Sequence, residues 1–179
     1  MPDRDHTYPF GRARASFYLG GCEARLPDAR PLLAYGANGS PQRLAAKLPG
    51  VAVAALAATL HGWAVVHSRH VSPYGQVPAT LVPAPGARAD LHVLLVADAG
   101  RAALDATEPN YDLVALDGLA LDVDRLGRLE RADAYLSKHG PLLIDGAPVA
   151  LGALPQTELL TAVRSSAATP PSAPSPRPG

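Results

Sequence analysis

Short apolar runs separated by turn residues dominate the first two thirds of the chain. Residues 32–35 form a continuous apolar run, which is typical of a strand that is buried on both faces. A longer run predicts a strand over 54–68, with Gly62 as a bulge. Further strands are predicted from the Val- and Leu-rich segments 79–82, 88–97, 111–116, 119–123 and 132–138.

Three short helices are predicted among these strands. Ser40 is suited to be the N-cap of the first helix, which starts at Pro41 and reaches about residue 48. Asp98 is expected to cap a second helix that runs to about Thr107. Thr157 is expected to cap a third helix that ends near residue 164. Because strands and helices do not alternate regularly, we expect an α+β fold with a mostly antiparallel or mixed sheet.

Turn residues predict two hairpins, and composition indicates where the main domain begins and ends. Asp145-Gly146 predicts a tight hairpin, and Gly20-Gly21 between 13–19 and 22–26 indicates another short one. Residues 1–30 are therefore interpreted as an N-terminal appendage and 31–165 as the main domain. The proline-rich segment 166–179 lacks large apolar residues and is predicted to be a disordered tail.

Composition excludes several classes of protein. The 179 residues are 47% hydrophobic and 18% charged, which suits one domain with a real core. Sixteen basic residues balance sixteen acidic ones, so we expect neither a nucleic-acid nor a membrane partner. The apolar stretch 51–66 is too short to span a bilayer. Cys22 is the only cysteine, and the N-terminus has no apolar signal region, so a cytoplasmic location is predicted.

Motifs for metal, nucleotide and nucleophilic chemistry are missing. His67 and His70 do not have zinc-like spacing with a carboxylate, so we interpret them as surface or hydrogen-bonded core residues. Cys22 is interpreted as a small hydrophobe. No serine elbow, phosphate loop or dinucleotide fingerprint is present. No metal site and no cofactor are therefore expected.

The first candidate site is the loop Tyr35-Gly36-Ala37-Asn38 between the predicted strand and helix. Unpaired backbone N–H groups at such a junction can hold a carboxylate, and Asn38 adds an amide that both donates and accepts. An ordinary strand-to-helix turn would show the same residues.

The second candidate is Glu108, which follows the predicted second helix and precedes Pro109. A carboxylate at a helix C-terminus faces the negative end of the helix dipole, a setting that suits a general acid–base if the group is partly buried. A solvent-exposed glutamate is the alternative interpretation.

The order of these motifs resembles the γ-glutamylcyclotransferase-like family, also called the AIG2-like family. The resemblance covers 31–117, and more loosely reaches about 151. It rests on the segments Ala34-Tyr35-Gly36-Ala37-Asn38, His61-Gly62-Trp63-Ala64-Val65-Val66, Pro78-Ala79-Thr80-Leu81-Val82-Pro83 and Leu104-Asp105-Ala106-Thr107-Glu108, followed by Tyr111.

The resemblance implies a small mixed β-barrel with flanking short helices and a cavity at one end. It implies that the loop Tyr35–Asn38 binds the α-carboxylate and amine of a γ-glutamyl amide, with the Gly36 and Ala37 amides on the carboxylate. Glu108 would be the acid–base, and Tyr111 would hydrogen-bond nearby. The substrate's own α-amine would attack its γ-carbonyl and release 5-oxoproline and an amine or amino acid.

Two departures keep other functions open. Ala37 stands where the family has serine, and Pro109 stands where a glycine commonly follows the glutamate. The alternatives are a non-catalytic module of the same fold that binds a small ligand, and an accessory domain that acts through the N-terminal hairpin or the proline-rich tail. The identity of the leaving amine, the oligomeric state and any protein partners stay open.

Overall fold

The computed structural model describes residues 13–23 and 25–168. Within this part the strands are β1 (Phe17–Leu19), β2 (Leu32–Ala34), β3 (Val53–His67), β4 (Ala79–Val96), β5 (Tyr111–Leu116), β6 (Ala120–Val123), β7 (Gly127–Leu129), β8 (Ala132–Ser137), β9 (Leu143–Ile144) and β10 (Ala147–Pro148). The helices are α1 (Pro41–Lys47), α2 (Asp98–Asp105) and α3 (Gln156–Ala168), and a 3-10 turn covers Ala37–Gly39. No helix of the described part is long and apolar enough to cross a membrane.

The main sheet has the strand order β5-β8-β2-β4-β3-β6-β7, with β1 paired to β3. The pairing of β2 with β8 is parallel and the other pairs are antiparallel. The sheet curls into a half-barrel with helices against it, which confirms the predicted α+β class and the mixed sheet. In the described residues β5 and β7 stand at opposite ends of the strand order.

A long β3–β4 hairpin forms the centre of the sheet. His61 pairs with Arg88, whereas Trp63 pairs with Pro83, so one residue of β3 lies opposite four of β4. Gly62 occupies this point with a positive φ of 77°, which confirms the predicted bulge. The two strands predicted over 79–82 and 88–97 are therefore one strand, whose residues 84–87 loop out of the ladder.

Both faces of the sheet are covered, which explains the continuous apolar runs. Leu33 points into the concave core with Leu56 and Val93. Leu32, its neighbour, packs on the opposite face against the cluster that includes Leu44 of α1. A separate hydrophobic cluster packs α3 against the loops that contribute its other members. It contains Val77, Leu142, Val149, Leu159 and Val163.

The N-terminal hairpin prediction is wrong in its second half. Phe17–Leu19 pairs with β3, and no strand forms in the described residues between Gly20 and the start of β2 at Leu32. Cys22 instead turns into the core, where it is buried, as expected for a small hydrophobe. A Cβ on Gly20 would lie 2.8 Å from the Ala52 Cα, so this turn approaches the neighbouring backbone closely. Part of the predicted appendage thus belongs to the main sheet.

Several element ends differ from the predictions. Ala97, in an extended conformation, is the N-cap of α2, and Asp98 lies in its first turn. Helix α3 starts one residue before Thr157, at Gln156, whose side chain accepts a 2.8 Å hydrogen bond from the Val77 N–H. Because α3 continues to residue 168, the predicted tail overlaps it, and residues 169–179 lie outside the described part. The Asp145-Gly146 hairpin is confirmed as β9–β10.

Candidate functional site

A cavity of about 630 Å³ opens beside the C-terminal end of β2. Its walls come from the 3-10 turn, α1, the β3–β4 loop and the turn between α2 and β5. All the residues proposed from the sequence line it: Tyr35, Gly36, Ala37, Asn38, Glu108 and Tyr111. Folding therefore brings together two motifs that are about 70 positions apart in the chain.

The loop after β2 presents backbone donors to this cavity. Among the backbone hydrogen bonds of the described turns and loops, none has the Gly36 or the Ala37 N–H as its donor. The Gly39 N–H donates to the Gly36 carbonyl and the Ser40 N–H to the Ala37 carbonyl, each at 3.0 Å. These bonds form a 3-10 turn within the loop predicted between β2 and α1, and α1 starts at Pro41 as predicted. The loop keeps two amides available for an anion.

Glu108 lies in a turn after α2 rather than at the helix end. The helix stops at Asp105, two residues before its predicted end. The Glu108 N–H donates to the Asp105 carbonyl at 3.1 Å, and the Tyr111 N–H donates to the Glu108 carbonyl at 3.1 Å. Both bonds hold the Glu108 backbone in place. Its side chain is 14% exposed, so the carboxylate is partly buried at the cavity wall.

Lys47, at the end of α1, connects the two motifs. Its Nζ lies 2.6 Å from Oε1 of Glu108 and 2.8 Å from Oδ1 of Asn38. Asn38 in turn donates from Nδ2 to the same Glu108 oxygen at 3.1 Å. Within this network of described side chains, both hydrogen bonds to the carboxylate go to Oε1 and neither goes to Oε2. The charge beside Glu108 is therefore the Lys47 ammonium rather than the end of a helix dipole.

Two tyrosines line the cavity, and the hydroxyl of each donates a hydrogen bond to a backbone carbonyl. Tyr35 is buried, and its hydroxyl donates to the carbonyl oxygen of Tyr135. The Tyr111 hydroxyl donates to the carbonyl of Ala79 at 2.9 Å, at the start of β4. The Tyr111 side chain thus hydrogen-bonds beside the site, and the acceptor of this bond is a backbone carbonyl.

His70 forms the wall next to Tyr111. The two rings meet edge to face at 5.7 Å, and the His139 ring lies 4.6 Å from His70 on another side. Burial, together with repulsion from His139, lowers the pKa of His70 to about 4. His70 is therefore neutral at physiological pH.

Ser68 hydrogen-bonds to Nδ1 of His70 at 2.7 Å, a pair that resembles a nucleophile and its base. The Ser68 side chain is completely buried and also lies 2.6 Å from the Ser137 hydroxyl. A substrate carbonyl could not reach Ser68 Oγ without displacing these contacts. The interpretation of His67 and His70 as hydrogen-bonded buried residues is confirmed, because His67 is also buried and bonded to the backbone.

A more distant network supports the turn that carries Glu108. The Tyr135 hydroxyl donates to the Asp105 carboxylate at the end of α2. Arg101 of the same helix lies 2.9 Å from the carboxylate of Asp133 in β8. Burial and the Asp105 carboxylate raise the pKa of Tyr135, so this hydroxyl keeps its proton. These contacts fix α2 to the sheet and therefore fix the position from which the Glu108 turn departs.

Comparison with known proteins identifies the architecture. No family model and no curated protein sequence matches the chain. A solved structure of gamma-glutamyl cyclotransferase aligns with a TM-score of 0.50 and 19% identity, over 62% of this chain and 68% of that one. An uncharacterized protein from Homo sapiens aligns over the same shares with a TM-score of 0.51 and 19% identity. This chain has the γ-glutamyl cyclotransferase fold.

Within the γ-glutamyl cyclotransferase fold, Lys47 is a cavity residue that sequence reasoning missed, and it contacts both candidate motifs. It lies 61 positions before Glu108, and no motif marks it. One signal was available, since Lys47 is one of two lysines in a chain with fourteen arginines. Arg43, one turn earlier, also lines the cavity and lies 5.4 Å from the centre of the exposed Tyr74 ring at the mouth. No group of three or more metal-ligating side chains occurs in the described residues.

Proposed function

We propose that this protein is an enzyme that cleaves a γ-glutamyl amide by intramolecular cyclisation, releasing 5-oxoproline and a free amine or amino acid. One observation carries the proposal: the Gly36 and Ala37 backbone amides and the Glu108 carboxylate line a single cavity. The fold shared with gamma-glutamyl cyclotransferase supports it. Neither feature alone would suffice, because a fold hosts many functions.

The reaction needs a group that moves one proton. The neutral α-amine of the substrate attacks the γ-carbonyl carbon, forming the ring C–N bond, and Glu108 takes the proton that this nitrogen loses. Glu108 then returns the proton to the leaving nitrogen as the original amide C–N bond breaks. The carboxylate ends in its starting state. The Lys47 and Asn38 contacts hold one oxygen of Glu108, and the other oxygen is the one proposed to exchange the proton.

Positioning supplies the rest of the proposed catalysis. The attacking and attacked atoms belong to one molecule, so rate depends on holding the glutamyl chain in a folded conformation. Well-oriented intramolecular reactions of this kind gain on the order of 10⁵–10⁸ M in effective concentration. The Gly36 and Ala37 amides would fix the α-carboxylate, and the cavity walls would keep the chain from extending.

A binding module of the same fold is the second candidate. It is favoured by the ion pair between Lys47 and Glu108, which neutralises the proposed acid–base, and by Ala37, which has no hydroxyl to offer. Such a module would hold a carboxylate ligand in the same cavity and release it unchanged. Calorimetry followed by recovery of intact ligand would support this alternative.

The deciding experiment measures 5-oxoproline release from a panel of γ-glutamyl amino acids and amines. Glu108→Gln keeps the shape and removes the titratable group, so turnover should fall roughly 10²- to 10⁴-fold. Glu130→Gln is the matched control, because Glu130 is exposed and outside the cavity. Full turnover by a folded Glu108→Gln protein would refute the assignment of the acid–base. No release by folded wild type across the panel would refute the enzyme.

A further inference from the structure

The Lys47 ammonium has a hydrogen-bond donor to spare. An ammonium carries three N–H groups, and two of them are directed to Asn38 Oδ1 and Glu108 Oε1. The side chain lines the cavity and is 21% exposed, so the remaining donor has access to a ligand there. Lys47 can therefore bind an anion without giving up its contact with Glu108.

Charge in the cavity favours an anionic ligand. The charged side chains that line it in the described structure are Arg43, Lys47 and Glu108. His70, also in the wall, adds no charge near neutral pH because burial lowers its pKa to about 4. Two cations and one anion leave one net positive charge. A γ-glutamyl amide whose α-amine is neutral, as the cyclisation requires, carries one negative charge on its α-carboxylate.

Lys47 also lies next to the loop that offers free amides. Its bond to Asn38 Oδ1 places the ammonium beside the residue that directly follows Ala37. Ala37 contributes a backbone N–H but only a methyl side chain. A carboxylate oxygen bound to the loop amides therefore lacks a side-chain donor from position 37, and the nearby Lys47 can supply one.

We infer that Lys47 is a specificity-determining residue whose ammonium binds the α-carboxylate of the substrate. The inference rests on the proposed function, because it names which group of the γ-glutamyl amide Lys47 contacts. A competing role is that Lys47 acts only through Glu108, as a positioning residue. The two roles differ in one respect: only direct binding depends on the presence of the α-carboxylate.

The test uses two amides that share the same leaving amine and differ only in that carboxylate. A γ-glutamyl amide cyclises to 5-oxoproline, and the matching 4-aminobutyryl amide would cyclise to 2-pyrrolidone. Lys47→Met keeps the aliphatic stem and removes the charge. It should lower kcat/KM for the γ-glutamyl amide by roughly 10- to 100-fold more than for the 4-aminobutyryl amide, the usual range for a charged hydrogen bond.

Two further variants serve as controls. Lys47→Arg keeps the charge and should retain most of the preference for the γ-glutamyl amide. Arg43→Met removes the other cation of the cavity, the one close to the Tyr74 ring, and should reduce the ratio between the two amides much less than Lys47→Met does. Binding of 5-oxoproline and of 2-pyrrolidone is measured by calorimetry in parallel, so that a site without turnover is still examined.

The possible outcomes separate this inference from the proposed function. Wild-type preference that disappears in Lys47→Met supports the inference. Turnover with the same preference in wild type and Lys47→Met overturns it and leaves the proposed reaction intact. If no amide turns over but 5-oxoproline binding depends on Lys47, the carboxylate contact of Lys47 is supported and the proposed reaction is refuted. If wild type neither turns over the amides nor binds 5-oxoproline, both are overturned.

Discussion

The protonation of His70 should reduce the stability of the fold in mild acid. In the unfolded chain His70 has an ordinary pKa of about 6.5, whereas burial and the adjacent His139 lower it to about 4 in the folded protein. Between these values the unfolded chain binds a proton that the folded chain does not. The free energy of unfolding therefore falls as pH falls through this window, and His70 has little effect above it.

The size of the effect follows from the two pKa values. A difference of about 2.5 pKa units corresponds to about 3.4 kcal/mol once both states are fully titrated. Between pH 7.5 and pH 4.5 the His70 contribution should be about 2.5 kcal/mol. That is a substantial part of the ~5–15 kcal/mol stability typical of a domain.

Denaturant unfolding of wild type and His70→Gln at several pH values from 7.5 to 4.5 would measure it. Glutamine stays neutral throughout, so the variant should lose less stability on acidification than wild type does, whatever its stability at pH 7.5. The pKa of His67 is also lowered by burial, but His67 is present in both proteins and cancels in the comparison. Parallel pH profiles for the two proteins would refute the argument.

Two substitutions test the support of α2. Gly100→Ala should destabilise the protein by about 1 kcal/mol in denaturant unfolding, because overpacking costs ~1–3 kcal/mol and exceeds the ~1 kcal/mol gained in helix propensity; a Cβ there would lie 2.6 Å and 2.8 Å from methyl groups of Val51 and Val96. Arg101→Met should cost about 3 kcal/mol in the same assay, since it removes the partly buried partner of Asp133, which is 9% exposed.

Each of these substitutions has a matched control. One lies in the same helix, and the other removes a second partner of the same carboxylate. Ala99→Gly, at an exposed position of α2, should cost only the ~1 kcal/mol of helix propensity. Arg30→Met removes the other partner of Asp133, but the Arg30 side chain is 73% exposed, so at most ~1 kcal/mol is expected. A stabilised Gly100→Ala protein, or equal costs for Arg101→Met and Arg30→Met, would contradict the packing described for α2.

Local sequence was sufficient for most strands, because their signals lie within a few residues. Continuous apolar runs predicted β2 and β3, and Asp145-Gly146 predicted its hairpin, since both depend on side-chain pattern and turn geometry alone. The sequence predicts two strands where the structure has the single strand β4, and Pro83 and Pro85, residues that normally interrupt a strand, lie between the two predicted segments. Here residues 84–87 loop out opposite Gly62, so the break in pattern marks a bulge rather than an end.

The N-terminal segment shows where local pattern misleads. Alternation over 13–19 correctly indicated a strand, yet its partner is β3, more than thirty positions away, rather than the adjacent residues. Cys22, predicted in the second strand of that hairpin, is instead buried in the core. Pairing partners depend on which surfaces the core leaves open, and a single sequence does not state this.

The candidate site follows the same division between local and long-range information. Glu108 and the Tyr35–Asn38 loop were proposed from local motifs, and folding places both on one cavity. The electrostatic environment of Glu108 was not predictable in this way. The helix predicted from Asp98 to about Thr107 puts the carboxylate at the end of a dipole, whereas α2 stops earlier and Lys47 approaches from α1. A full ammonium charge at 2.6 Å outweighs the partial charge of a helix terminus. The chemistry proposed for Glu108 therefore depends on how Lys47 divides its donors between that carboxylate and a bound substrate.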